Sequence, residues 1–173
     1  HDPYKIFISE LMLQQTQVDR VLPKYRAFIK QFPTVHALAG ATTANVLRAW
    51  AGLGYNRRAL YARACAQKVI EDFHGRFPRT LAELKTLPGV GEYTARAILS
   101  FACQMPVAVL DANHRRVLHR ILYGLPIKKR ISDEQLLKDA EKILPRRRAY
   151  DWNQALMDFG SLVCTSAAPK CAL

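Results

Sequence analysis

The chain has 173 residues, half of them hydrophobic, with 26 Lys and Arg against 14 Asp and Glu for a net charge of +12. That length suits one good-sized core or two small lobes, and the composition excludes a disordered chain. Apolar runs are short and broken by charges, so no membrane span and no membrane partner are expected. No signal peptide is visible, and the expected setting is cytoplasmic, nucleoid-associated in a bacterium and nuclear or organellar in a eukaryote. The opening on His1 and the close on "CAL" give the expectation that both ends are cut. The positive excess points to a polyanion partner. It gathers at Arg57-Arg58, Arg115-Arg116, Lys128-Lys129-Arg130 and Arg146-Arg147-Arg148, each near a predicted turn or helix end from which it could reach phosphate.

In chain order the sequence reads as helices throughout, an all-α fold. Asp2-Pro3 is a cap followed by Pro at the first helical position, and Tyr4, Phe7, Ile8, Leu11 and Met12 recur at helical spacing. Gln14 and Gln17 fall on the stripe of Glu10. A second helix carries Val18, Leu22, Tyr25, Phe28 and Ile29; Pro23 is early enough to be tolerated or to mark its start, and Phe32-Pro33 ends it. Short helices follow around Val35 to Ala39 and Ala44 to Trp50, then a turn at Gly52 and Gly54. The pattern next predicts a long helix from about Arg57 to Phe73, one that starts after Pro78-Arg79-Thr80 and stops at Leu87, and one from Tyr93 to Cys103. After an extended stretch from Pro106 to Leu110, Asp111 opens a helix through Leu122. Ser132 and Gln135 form a capping box for a helix ending at Leu144, and a last helix holds Trp152, Leu156, Phe159 and Val163.

"LPGVGEYTA", residues 87 to 95, places Pro88, Gly89 and Gly91 between two helices. Glycines there permit close backbone approaches, and the amides opening the next helix are free donors at a positive dipole end. That is an anion site, and the basic chain makes phosphate the expected anion. Two acids draw attention beside it. Glu10 sits among Phe7, Ile8, Leu11, Met12 and Leu13, where desolvation favours the protonated acid. Asp111 sits at a helix start, where amides and the dipole favour the charged form. Two carboxyls driven apart in this way suit a division into acid and base roles.

The motifs "SELMLQQTQV", "WAGLGY", "FPRT", "LPGVGEYTARAILSFA", "VLDANHRRV", "NQALMDFGSLVC" and "PKC" occur in that order over nearly the whole chain. Together they resemble the helix-hairpin-helix DNA glycosylase superfamily, and within it the MutY-type adenine DNA glycosylases. The resemblance implies one all-helical catalytic core over 1–173, with a hairpin-containing lobe of about 20–122, a second lobe of 1–19 plus 123–173, and a DNA cleft between them. It implies a monomer that acts on double-stranded DNA with a mispaired or damaged site, flips the target nucleotide and hydrolyses its N-glycosidic bond. Glu10 would protonate the adenine and activate water, Asp111 would stabilise the sugar cation, and Asn113 would orient water or the Asp111 carboxylate.

Tyr93 stands where bifunctional relatives carry a Lys that forms a Schiff base, so little or no strand cleavage is expected. Gln15 and Tyr55 match positions that enter the duplex near the flipped nucleotide. Arg57 and Arg58 would contact phosphate, with Leu87, Gly89, Val90, Gly91 and Thr94 forming the DNA-binding hairpin. Cys65 and Cys103 read as core thiols. Cys164 and Cys171 match the first two of four cysteines that often hold a four-iron–four-sulfur cluster in this superfamily. Two thiolates give half a site, so a cluster is conceivable in a longer protein and not expected in this chain.

"DAN" stands in place of "DGN" and "GYN" in place of "GYY", and "DAN" also fits thymine-mismatch glycosylases of the superfamily. The 8-oxoguanine-reading domain that follows the core in MutY-type enzymes is expected to be absent. Excision of thymine or uracil opposite guanine is therefore the rival chemistry, and a non-catalytic DNA-binding module is the alternative of a different class.

Overall fold

In the computed structural model, which describes residues 2–124 and 131–171, every regular element is helical. The chain forms two compact units, His1–Cys103 and Gln104–Leu173. The first helix packs on elements of the first unit both near it and far from it in sequence, and the helix after Asp111 packs on the C-terminal helices.

The first unit is built on α1 (Pro3–Leu13), opened by the Asp2 carboxylate accepting the Tyr4 N–H at 2.9 Å. Tyr4, Phe7, Ile8, Leu11 and Met12 of α1 are buried. Around it lie α2 (Val18–Gln31), α3 (Val35–Ala39), α4 (Thr43–Trp50) and α5 (Arg57–Phe73). The Tyr4 hydroxyl donates to the Phe32 carbonyl at 2.7 Å and so ties α1 to the end of α2. Phe28 meets Trp50 edge-on at 5.7 Å and Phe32 at 5.0 Å, a geometry that suits the ring quadrupoles. Pro23 lies inside α2, which begins at Val18. α1 stops at Leu13, so Gln14 and Gln17 leave the Glu10 stripe, Gln14 directly after α1 and Gln17 directly before α2.

The helix predicted after Thr80 begins there, as α6 (Leu81–Leu84), but ends before Leu87, because the Thr86 and Leu87 amides make turn bonds to the Glu83 and Leu84 carbonyls. α7 (Glu92–Ala97) follows the hairpin turn and widens into a π-helical turn, Ile98–Ala102, buried throughout. There the Cys103 amide reaches back to the Ile98 carbonyl at 3.2 Å.

The second unit contains α8 (Ala112–Tyr123), α9 (Asp133–Ile143) and α10 (Ala149–Leu162), with a 3-10 turn at Arg146–Arg148. Its core joins Val117 and Leu118 of α8 to Leu136 and Ala140 of α9 and Leu156 of α10. Asn153 braces the extended segment before α8, donating to the Val107 carbonyl at 2.9 Å and accepting the Val109 N–H at 3.3 Å. Half of the expected capping box forms: Ser132 accepts the Gln135 N–H at 3.2 Å, while the Gln135 amide donates to Asp139. No helix among the described residues is long and apolar enough to cross a membrane.

Candidate active site

Within the first unit Glu10 is 9 % exposed on the inner face of α1, an uncommon setting for a carboxyl. Immediately after α1 the chain turns through Gln15, whose φ is +56°, and a second turn places Tyr55 at φ +47°. Left-handed backbone at non-glycine residues is strained and needs outside support. Arg58 supplies it. Its Nη1 donates to the carbonyls of Leu11 at 2.9 Å, Met12 at 2.8 Å and Gln14. Its Nη2 donates to Thr16 Oγ1 at 3.1 Å and to the carbonyls of Leu53 at 3.3 Å and Gly54 at 3.1 Å.

One guanidinium thus satisfies carbonyls that α1 leaves open at its end and clamps the Leu53–Gly54 turn against it. It also lies 5.6 Å from the ring centres of both Trp50 and Tyr55. Burial pulls the Arg58 guanidinium below its ordinary pKa, and the neighbouring Tyr55 opposes that in part. Arg58 is 6 % exposed, so the phosphate contact expected of it is replaced by an internal role. Gln15, Tyr55 and Arg57 are exposed and, with Tyr61, line a cleft of about 350 Å³.

In the hairpin, Gly89 takes φ +78°, and a Cβ there would stand 2.9 Å from Tyr61 Cβ, so the turn packs on α5 only because the side chain is missing. Leu87, Val90 and Thr94 are buried, which leaves backbone as the part of these residues a ligand could meet, whereas Gly91 is exposed. Glu92 opens α7 and is clasped by Lys85 at 2.7 Å and Arg96 at 2.8 Å, hydrogen bonds that hold its carboxyl below the ordinary value. This carboxylate at the hairpin mouth offsets part of the positive end that the sequence suggested. Tyr93 is half-buried beside it.

Within the second unit Asp111 caps α8, accepting the His114 N–H at 2.7 Å on Oδ1. The same oxygen lies 2.7 Å from His114 Nδ1. Burial pushes the Asp111 carboxyl up, but the His114 ring and amide and the Asn113 amide outweigh it and hold the group below its ordinary value. The expected charged form is what this setting favours. Asn113 Oδ1 is taken by Arg116 Nη2 at 2.8 Å.

Arg116 also donates to the Cys164 carbonyl at 2.7 Å, and Arg115 pairs with Asp133 at 2.6 Å. This basic pair braces protein as well as carrying charge. Arg146 and Arg147 are exposed, Arg148 pairs with Asp151 at 3.1 Å, and Lys128-Lys129-Arg130 lie outside the described residues. The sequence reading missed His114. Its signal was an Asp followed at i+3 by a residue on the apolar stripe of Val117 and Leu118.

Cys164 Sγ accepts from Arg120 Nη1 at 3.3 Å, and Cys171 is exposed. No three His, Cys, Asp or Glu gather as a metal set among the described residues. A four-iron–four-sulfur cluster needs four ligands, and Cys164 and Cys171 are two thiols. Cys65 is a core thiol as expected, and burial pushes its pKa up; Cys103 is only half-buried.

Residues 8–146 match the model of the HhH-GPD superfamily base excision DNA repair proteins. The chain belongs to this superfamily. It is 43 % identical over 170 residues to the adenine DNA glycosylase of Buchnera aphidicola subsp. Baizongia pistaciae, covering 98 % of this chain and 48 % of that protein. To the adenine DNA glycosylase of Homo sapiens it is 40 % identical over 171 residues, covering 98 % of this chain and 31 % of that protein. The chain thus spans about half, or less, of the length of these relatives. Among solved structures it superposes on a thermostable thymine-DNA glycosylase with a TM-score of 0.91 at 31 % identity, covering 99 % of this chain and 79 % of that one. An endonuclease III–DNA covalent intermediate shares the fold, with a TM-score of 0.87 at 22 % identity over 99 % of this chain and 80 % of that one.

Proposed function

We propose that the chain is the catalytic core of a monofunctional DNA glycosylase that flips adenine from a mispair with guanine or 8-oxoguanine and hydrolyses its N-glycosidic bond. The contrast between its two acids carries the reading: Glu10 is buried on α1, and Asp111 is a helix cap held in its charged form. Likeness over almost the whole chain to proteins named adenine DNA glycosylase supports adenine as the leaving base. Glu10 donates a proton to a ring nitrogen of adenine. The C1′–N9 bond breaks, and its electron pair leaves with the base. Asp111 stabilises the resulting oxocarbenium-like sugar, water adds to C1′, and the proton it loses returns to Glu10.

Arg57 and the exposed basic surface contact phosphate and position the duplex, while Gln15 and Tyr55 fill the space left by the extruded nucleotide. A phenol at Tyr93 cannot form a Schiff base, so the strand stays intact after base release.

The rival reading, excision of thymine opposite guanine, is favoured by "DAN" and by the likeness to the thermostable thymine-DNA glycosylase. Incubation with duplexes holding A opposite 8-oxoguanine, A opposite G and T opposite G, followed by hot alkali, separates the two. Alkali-dependent cleavage of the adenine strand is expected. Cleavage confined to the thymine strand replaces adenine with thymine, and tight binding without cleavage reduces the chain to a binding module. Glu10→Gln is expected to bind duplex and release no base, and borohydride is expected to trap no covalent complex.

A further inference from the structure

We propose that His114 is a positioning residue for base excision: its buried ring locks the Asp111 carboxylate in one orientation for the developing sugar cation. This rests on the role proposed above for Asp111. The ring is 0 % exposed, and Nδ1 lies 2.7 Å from Asp111 Oδ1. A carboxylate in its charged form only accepts, so Nδ1 carries the hydrogen. His114 Nε2 is buried and has no hydrogen-bond partner among the described residues. A proton there would be a buried donor with nothing to meet, whereas a lone pair is tolerated more easily. The geometry therefore places a hydrogen on Nδ1, a donor aimed at Asp111.

An ordinary aspartate cap needs one bond, from the amide three residues on, and that amide comes with any side chain. Here the ring adds a second donor to the same oxygen. The carboxylate cannot turn about its Cβ–Cγ bond without losing both. The same two bonds favour the ionised form against the burial that opposes it. A fixed negative charge set in place before the sugar becomes cationic needs no reorganisation when the bond breaks, and that is the condition under which electrostatic stabilisation accelerates a reaction. A ring that served the fold alone would have been better replaced by an apolar one, which leaves no orphaned nitrogen in the core.

The test uses single-turnover base release on the duplex identified as substrate. It also uses affinity for the same duplex carrying a 2′-fluorine at the target sugar, which resists cleavage because it destabilises the sugar cation. His114→Phe keeps a buried ring and removes the donor. It is expected to slow base release roughly 10- to 100-fold, the loss typical when a partner that orients a functional ligand is removed, with duplex affinity within about two-fold. His114→Asn, which restores an N–H near Nδ1, is expected to recover most of the rate. If His114→Phe releases base at the unaltered rate while Asp111→Asn does not, the inference fails and the role of Asp111 stands. If Asp111→Asn keeps full turnover, the underlying reading fails instead. Should His114→Phe not fold, the imidazole nitrogen shifts of the unaltered protein decide: hydrogen fixed on Nδ1 is expected, and hydrogen on Nε2 or exchange between the two overturns the assignment.

Discussion

Arg58→Met removes a buried cation of similar length and leaves its acceptors behind. Three of the carbonyls it serves, those of Leu11, Met12 and Leu53, receive buried hydrogen bonds. A buried carbonyl left without a partner costs about 1–3 kcal/mol. The lower end of that range suits acceptors near a surface loop, where water can replace part of the loss, and gives about 3 kcal/mol for the three. Relief from burying a guanidinium works in the opposite direction, and the loss of two ring contacts adds roughly 0.5–1 kcal/mol each. The net expectation is a destabilisation of about 2–4 kcal/mol, or roughly 5–15 °C in Tm for a chain of this size. Arg58→Lys is expected to recover less than half of it, because an ammonium cannot span two loops as a planar fork does. Thermal unfolding by circular dichroism measures both. A Tm for Arg58→Met within about 1 °C of the unaltered protein, at the precision such measurements allow, refutes the clamp.

Gly89→Ala meets Tyr61 Cβ at 2.9 Å from a left-handed backbone and is expected to cost about 1–3 kcal/mol; an unchanged denaturant midpoint contradicts this. Gly160→Ala places a Cβ 2.7 Å from Asn113 Cβ, so it is expected both to lower Tm and to slow base release through the turn that carries Asp111, and wild-type values of the two would show that α8 and α10 separate freely. Asp111 has a lowered pKa, so its stabilising contribution is complete above an unfolded value of about 4 and is lost as pH falls through the lower folded value. Asp111→Asn should therefore flatten the acid limb of the stability profile, and an identical acid limb removes Asp111 from it. Duplex affinity should fall steeply with added salt; a flat dependence removes phosphate contact as the source of binding.

The helix boundaries that sequence located best are those with a local cause. Asp2, Asp111 and Ser132 each cap a helix with the side chain that marked them. Where a boundary depended on packing, the reading drifted. The π-helical turn Ile98–Ala102 carries only apolar residues and Ser100, all buried, and a stripe without polar interruptions cannot distinguish a period of 3.6 from a wider one. The internal role of Arg58 and the buried ring of His114 escape the sequence for a different reason. Periodicity was counted on apolar residues, yet the stripe Arg58, Ala59, Ala62, Cys65, Ala66, Val69 puts Arg58 on the inner face of α5, and His114, Val117, Leu118 does the same on α8. A charged or titratable residue in phase with a core stripe is the observation to follow, because burial makes its hydrogen bonds obligatory.

That rule connects the two halves of the functional reading. Gln15 and Tyr55 are costly positions, about 1–3 kcal/mol each for non-glycine residues held left-handed. They persist because a buried Arg58 holds the turns on which both sit. Asp111 would cap α8 adequately with an amide alone, yet a buried His114 is added to it. In each case a buried polar group hydrogen-bonds, or holds the turn of, an exposed or half-exposed residue proposed to meet DNA. Local preferences are broken at these places and compensated one layer beneath, the pattern expected where a functional surface imposes strain that the fold must offset.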